Sequence, residues 1–189
     1  MSRRRTQQQC RADWSGRADG LIRRARALAS GTPPARLGRP ALDGGWSAAQ
    51  VFEHLVIANE SYLVTLRRVA AGTPTRAQPG AVWRPSLAGG LLVWSFGSPR
   101  RWPAPRIYLP PAPRPRVIEG FVAGMEELVG LLDRLAEADW RRVRLRSPVS
   151  GFIRLNLGDC FAILVTHAER HFRQIDRVLG DATASPPRL

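Results

Sequence analysis

Apolar residues recur at helical spacing in four long stretches of the chain, and each stretch predicts an amphipathic helix. The predicted helices cover approximately residues 13–29, 47–71, 117–136 and 156–179. The second is the clearest, because Ser47 and Gln50 form a capping box at its start and Gly72 and Pro74 follow its end. Four long helices without a strong strand pattern predict an all-α four-helix bundle.

A long crossover is predicted between the second and third helices, where residues 72–115 are rich in proline, glycine and arginine. Proline lacks the backbone donor and clashes with the preceding helical turn, which disfavours helix over most of this segment. A short helix over residues 87–96 is one interpretation, since a structureless connection of this length is uncommon in a compact domain. A PxxP-type ligand is another; we favour packing on the domain because the segment carries tryptophan, tyrosine and leucine side chains.

The length of 189 residues predicts one domain, because it suffices for one sizeable core and is short for two. We predict a flexible basic tail over residues 1–12, the bundle domain over 13–180 and a flexible C-terminal tail over 181–189. After the third helix, a brief apolar alternation within residues 143–155 indicates an irregular extended excursion.

The chain is strongly basic, with a formal net charge of +14 and 29 basic residues, all of them arginine. Such a charge ordinarily indicates nucleic acid or an anionic membrane surface as the partner. Exclusive use of arginine also follows from GC-rich codons, and the clusters are dispersed over residues 3–5, 23–26, 100–101 and 141–146. We therefore expect solvated faces and tails, and nucleic acid is a minority interpretation.

The two cysteines, Cys10 and Cys160, have no partners at CxxC spacing, which argues against a disulfide framework or a cysteine zinc site. The first ten residues lack the apolar core of a secretory signal. The longest apolar run, residues 87–96, is too short to cross a bilayer of about 30 Å as a helix. We therefore expect a cytoplasmic protein without a membrane span.

All three histidines of the chain lie within predicted helices. His167 and His171 are four residues apart, so they share a helix face with their Cβ atoms about 5–6 Å apart. The surrounding apolar spacing places this pair, and also His54, on inward faces of the bundle. Three imidazoles between helices predict a site for zinc, nickel, iron or copper; hydrogen-bonded core histidines are the alternative.

Three protein ligands would leave a coordination position for water or substrate, as in catalytic rather than structural sites. A metal there lowers the pKa of bound water or of a coordinated thiol, which creates a nucleophile near neutral pH. Gln174 and Gln50 each lie about one turn from a histidine and are candidates to hydrogen-bond a ligand or a bound substrate. An ordinary polar role is the alternative for both.

The sequence offers no identifiable general base. Glu53, Glu60 and Glu169 are the nearest acids in sequence, but helix geometry directs each of them away from the histidine face. Cys160 lies about 10 Å along the helix axis from His167, too far to share an ion, and is interpreted as a small core residue. The catalytic residues therefore stay unassigned.

Two segments resemble the signature regions of the DinB-like superfamily, also called DinB/YfiT. They are WSAAQVFEHLVIANESYL at residues 46–63 and HAERHFRQI at residues 167–175. The segment SPVSGFIRLNLGDCFAILVTH resembles the lead-in to the last helix of that family. The resemblance spans residues 46–180 and implies a four-helix bundle in which His54, His167 and His171 hold a divalent ion, commonly nickel or zinc. It also implies thiol chemistry, since some members are S-transferases or isomerases that use mycothiol, bacillithiol or glutathione.

The leading hypothesis is a metal-dependent enzyme of thiol S-transferase or hydrolase type that acts on a small molecule. The alternative is a non-enzymatic helical module whose arginines and crossover tryptophans bind an acidic partner or nucleic acid. A third hypothesis is a metal that stabilises the fold without turnover. The oligomeric state is open, and a homodimer through exposed helix faces would be common for such a bundle.

Overall fold

The computed structural model describes residues 5–98 and 103–181 of the chain. The arginines at positions 3, 4, 100 and 101 and the tail residues 182–189 lie outside the described residues. In chain order, the elements are α1 (Gln7–Gly31), α2 (Pro34–Leu37), α3 (Ala48–Ala71), α4 (Leu87–Gly97), the 3-10 turn Arg106–Tyr108, α5 (Val117–Arg134), β1 (Arg144–Ser147), β2 (Ser150–Asn156) and α6 (Leu157–Asp181). The four long helices form the bundle, because α1 and α3 each pack against both α5 and α6.

Apolar side chains from the inward faces of the long helices fill the centre of the bundle. At one end Trp14 of α1 stacks on Trp140, with ring centroids 5.5 Å apart. Phe52 of α3 meets Phe172 of α6 edge to face at 5.7 Å. These pairs connect α1 to the chain after α5 and connect α3 to α6. Truncation of one of these buried rings would cost about 3–5 kcal/mol of unfolding free energy.

Helix α3 follows the predicted capping box. The Ser47 hydroxyl accepts a hydrogen bond from the backbone N–H of Gln50 at 3.2 Å, and the Gln50 side chain accepts one from the Ser47 N–H at 3.0 Å. The box satisfies two donors that a helix start otherwise leaves without partners. It therefore fixes the start of the helix that carries His54.

The prediction that the first helix begins near residue 13 is wrong, because α1 begins at Gln7. Thr6 and Gln9 form a second capping box there. The buried Gln7 side chain donates to the carbonyls of Ala136 and Ala138 at 3.0 and 2.7 Å. Residues 7–12, predicted as tail, are thus part of α1 and are tied to the chain beyond α5.

Helix α4 lies in the crossover, where the short helix was considered, and packs on α6. Its docking depends on Asp159, a buried residue of α6 whose carboxylate accepts from the Ser86 hydroxyl at 2.6 Å and from the Asn156 N–H at 2.8 Å. Gly89 of α4 lies so close that an added Cβ would overlap this carboxylate. A glycine is therefore required where α4 crosses α6.

The predicted extended excursion is a two-stranded antiparallel hairpin of β1 and β2, with an irregularity in register between Arg146 and Ser147. Strand β2 runs directly into α6, and Asn156 caps that helix by accepting from the Asp159 N–H at 2.8 Å. The hairpin therefore sets the position at which α6 begins.

Several arginines connect the long helices instead of forming only solvated faces. Arg17 of α1 holds both carboxylate oxygens of Glu169 on α6 at 2.8 and 2.6 Å. Arg67 of α3 similarly pairs with Glu127 of α5. Within the described residues, no helix combines the length and the apolar character that crossing a membrane would need.

Candidate metal centre

The three histidines meet where α3 packs against α6. His54 comes from the middle of α3, and His167 and His171 come from successive turns of α6. The Nε2 atom of His167 lies 3.2 Å from Nε2 of His54 and 3.1 Å from Nε2 of His171. The predicted convergence of the three imidazoles is therefore present in the fold.

Backbone and side-chain oxygens fix the protons on two of the three rings. Nδ1 of His54 lies 2.7 Å from the carbonyl oxygen of Tyr108, and Nδ1 of His171 lies 2.9 Å from Oε1 of Gln174. Because these oxygens only accept, each Nδ1 must donate, and in a neutral imidazole that leaves Nε2 as a bare lone pair. Two lone pairs thus face Nε2 of His167.

These contacts favour a cation over hydrogen bonds among the rings. The His167 ring can supply at most one proton at Nε2, so at least one of the two contacts joins nitrogen atoms with no hydrogen between them. Two imidazole nitrogens bound at 2.0–2.1 Å to one ion in tetrahedral geometry would lie about 3.3–3.4 Å apart, close to the 3.2 and 3.1 Å found here. The donor set therefore fits a divalent ion such as zinc or nickel.

Burial keeps the three rings neutral. It lowers the pKa of His54 and, together with the charges of the other two histidines, holds the pKa of His167 well below its ordinary value. Burial and the neighbouring His54 lower the pKa of His171 to about 3. Neutral imidazole is the form that binds metals, so the site is in its ligating state at neutral pH.

A cavity of about 380 Å³ opens onto the histidines and is lined mainly by apolar side chains. Its walls come from α3, α4, α6, the segment around the 3-10 turn, and the hairpin. Phe96 of α4 contacts His167, with ring centroids 4.9 Å apart, and Tyr108 hydrogen-bonds Ser61 through its hydroxyl at 2.9 Å. Arg170 is the charged residue among the described lining, and its guanidinium donates to the Ser98 carbonyl at 2.7 Å.

The two candidate glutamines have different positions. Gln174 bonds His171 directly, as described above. The amide oxygen of Gln50 is engaged in the cap of α3. A direct contact of either residue with a bound cofactor stays a prediction.

The nearby acids are held in ion pairs. Glu169 pairs with Arg17 and Glu60 pairs with Arg67, both at 2.6–2.7 Å. Glu53, which helix geometry directs away from the histidine face, is nevertheless buried, at 1% exposed. Arg114 of the crossover covers it, donating from Nη2 to Oε1 at 2.6 Å.

The sequence identified the histidines but missed the Tyr108 carbonyl that orients His54. A backbone acceptor leaves no mark in residue type, so only the path of the crossover reveals it. Cys160, interpreted as a small core residue, is buried, and burial raises the pKa of its thiol. It is thus an unreactive thiol rather than a nucleophile.

Comparison with curated proteins and with solved structures finds no match. The family model of the DinB superfamily matches residues 17–175. That range covers most of the chain, all four long helices in whole or in large part, and the three histidines. The chain belongs to the DinB superfamily.

Proposed function

We propose that the protein is a metal-dependent enzyme that activates a thiol or water against a small, largely apolar electrophile. The main support is that three histidine Nε2 atoms converge beside an apolar cavity. In two of these rings, a hydrogen bond from Nδ1 leaves the Nε2 lone pair available to a metal. His54, His167 and His171 would hold the ion, with zinc, nickel and iron as candidates. A low-molecular-weight thiol such as mycothiol or bacillithiol would be the cosubstrate.

A divalent ion at this site would supply Lewis acidity, lowering the pKa of a bound thiol or water. The chain supplies fixed ligand positions and a mainly apolar environment. The Tyr108 carbonyl and Gln174 hold the two imidazole rings in the tautomer that presents Nε2. The mainly apolar walls of the cavity accommodate an apolar electrophile.

The chain contributes no carboxylate base to the described cavity lining. In thiol transfer, sulfur would bond to the electrophilic carbon, the leaving group would depart with its bonding electrons, and the thiol proton would pass to solvent. Burial raises the pKa of the Tyr108 hydroxyl, which therefore stays protonated and remains a donor at neutral pH. Activation thus depends on the ligand set and not on a separate protein base.

Elemental analysis tests the site on untagged protein purified without chelators. We expect a near-stoichiometric divalent metal in the wild type and in Gln8→Ala, an exposed α1 control, and its loss in His54→Ala and His171→Ala. Equal metal content in all four proteins would refute a three-histidine site. So would failure of the wild type to bind metal after incubation with excess divalent ions.

Turnover is tested on the metal-loaded protein with 1-chloro-2,4-dinitrobenzene and each of mycothiol, bacillithiol and glutathione, and with 4-nitrophenyl acetate for hydrolysis. Thioether or nitrophenol formation in the wild type, absent in His171→Ala, would support the enzyme. A loaded site without turnover on any substrate would favour a metal that only stabilises the fold.

A further inference from the structure

We propose that the groove beside the metal centre binds the anionic group, a carboxylate or a phosphate, of the molecule that reacts there. The groove has a volume of about 530 Å³ and is distinct from the apolar cavity. This inference rests on the proposed function for the reacting end of the molecule. The anion site itself is argued from the groove alone.

One face of α6 forms the basic wall of the groove. Arg170, Arg173, Gln174 and Arg177 all line it and recur at intervals of three and four residues, so their side chains project to the same side of the helix. Trp46, Gly45 and Gly97 also line the groove. Three guanidinium groups thus border one concave surface.

The acids nearest in sequence to this wall are committed elsewhere. Glu169 holds Arg17, and Asp176 holds Arg24 at 2.7 Å. Asp43 lines the groove and offsets part of its positive charge. Even so, three arginines and one carboxylate leave an excess of positive charge at this surface.

Arg173 and Arg177 are the exposed members and the ones available to a ligand. Arg173 donates once, to the Phe96 carbonyl at 3.1 Å, which steadies its side chain and leaves its other donors for an anion. Arg177 makes no hydrogen bond or ion pair with the described part of the chain. Guanidinium groups bind carboxylate and phosphate through paired hydrogen bonds, which suits such an oxyanion.

The groove adjoins the metal centre at two residues. Arg170 lines both the groove and the apolar cavity. Gln174 lines the groove with its side chain bonded to His171. In this proposal the reacting atom of the molecule lies at the histidines and its anionic group lies at Arg173 and Arg177 of the adjoining groove.

Calorimetric titration with inorganic phosphate and with succinate tests the groove, on metal-free and metal-loaded full-length protein. The test variant is Arg173→Gln/Arg177→Gln. The control is Arg23→Gln/Arg68→Gln, which removes the same charge from exposed positions on α1 and α3. We expect wild type and control to bind at least one anion alike, and the groove variant to bind it at least about tenfold more weakly.

Equal anion binding by the groove variant and the wild type would overturn the proposal, as would no binding of either anion by the wild type. Binding only to metal-loaded protein would overturn it too, because the anion would then sit on the ion. Anion binding retained by metal-free His171→Ala would support the groove even if the proposed enzyme function fails. Preference for phosphate or for succinate would identify which oxyanion the groove recognises.

Discussion

The hydrogen atom on Nδ1 determines what each histidine of the site can do. For His54 and His171 that hydrogen is committed to an oxygen, and Nε2 is thereby left free to bind a metal. The two oxygens come from different sources, a backbone carbonyl of the crossover and a side chain of α6. Only the second can be removed by substitution without changing the path of the chain.

Gln174→Ala should therefore weaken metal binding without abolishing it. Loss of the hydrogen bond frees the His171 ring to rotate or change tautomer, and partners of this kind typically contribute 10–100-fold in metal affinity. Competition with a chromophoric zinc chelator would measure the change, for which we expect about tenfold. Gln8→Ala, on the exposed surface of α1, should leave the metal affinity at the wild-type value. An unaltered metal affinity in Gln174→Ala would contradict the role given to the Gln174 side chain.

Neighbouring glycines of α4 give an internal comparison. Gly89→Ala would drive a methyl group into the Asp159 carboxylate and should lower the unfolding free energy by about 1–3 kcal/mol. At Gly90 an added Cβ would meet only Pro85 atoms at 3.6 and 3.7 Å, ordinary contacts, so Gly90→Ala should stabilise by about 0.5–1 kcal/mol through helix propensity. Urea unfolding of both variants would show opposite signs, and a destabilised Gly90→Ala alongside a neutral Gly89→Ala would reject this account of α4 docking.

At the scale of elements, the sequence predicted helix starts that depend on hydrogen bonds between neighbouring residues. The capping box of Ser47 and Gln50 fixed the start of α3 in both sequence and structure. The equivalent pair Thr6 and Gln9 carries the same signal, but the basic, glutamine-rich composition around it favoured a tail. Tertiary contacts of the buried Gln7 side chain decide in favour of helix there.

The hairpin was less predictable from sequence. Alternation of apolar and polar residues indicates a strand only when the apolar side chains are buried on one face. Phe152 in β2 is 99% exposed, so an apolar position there does not mark an inward side.

The crossover posed a different problem, since its position depends on contacts with distant residues. Nothing in the sequence around Glu53, which lies in the second turn of α3, indicates that Arg114 will cover it.

The Glu53–Arg114 pair predicts an acid-dependent step in stability. Burial would raise the pKa of Glu53, but its hydrogen bonds and ion pair with Arg114 outweigh burial and hold it below its ordinary value of 4.5. The unfolded chain therefore binds a proton more readily than the folded one, so this stabilisation is complete above about pH 4.5 and is lost as the pH falls through the folded pKa. Glu53→Gln should cost about 2 kcal/mol at pH 7, discounted because Arg114 is half exposed.

Denaturant unfolding of wild type and Glu53→Gln at a series of pH values would measure this effect. The difference between the two proteins should be largest near neutrality and shrink below about pH 4.5. Glu60→Gln, which disrupts an exposed pair with Arg67, should change stability by less than about 1 kcal/mol. A difference at Glu53 that does not vary with pH would show that shape, and not charge, is what the position requires.

At the scale of the whole molecule, the arginines divide between two tasks: some pair with acids across the bundle, and others line the groove beside the metal centre. Those of α1 and α3 pair largely with acids on facing helices, as Arg17, Arg24 and Arg67 do. Each exposed or half-exposed pair contributes only about 0–1 kcal/mol, so they guide helix orientation more than they stabilise it. The sequence could not assign these pairs, because they depend on how each helix is rotated about its axis in the bundle.

Metal binding should stabilise the entire fold, because the three histidines join α3 to α6 and the Tyr108 carbonyl ties the crossover to His54. A ligand that binds only the folded state, at a free concentration of 100 times its Kd, raises the free energy of unfolding by about 2.7 kcal/mol. For a domain of this size that corresponds to a rise in Tm of about 5–10 °C. Calorimetric melting of chelator-stripped wild type with and without zinc would measure that rise. His171→Ala should show little of it, and magnesium, which prefers oxygen ligands, should produce little in either protein. If zinc raised the Tm of wild type and His171→Ala equally, the stabilising ion would have to bind elsewhere, and the three histidines would not be its ligands.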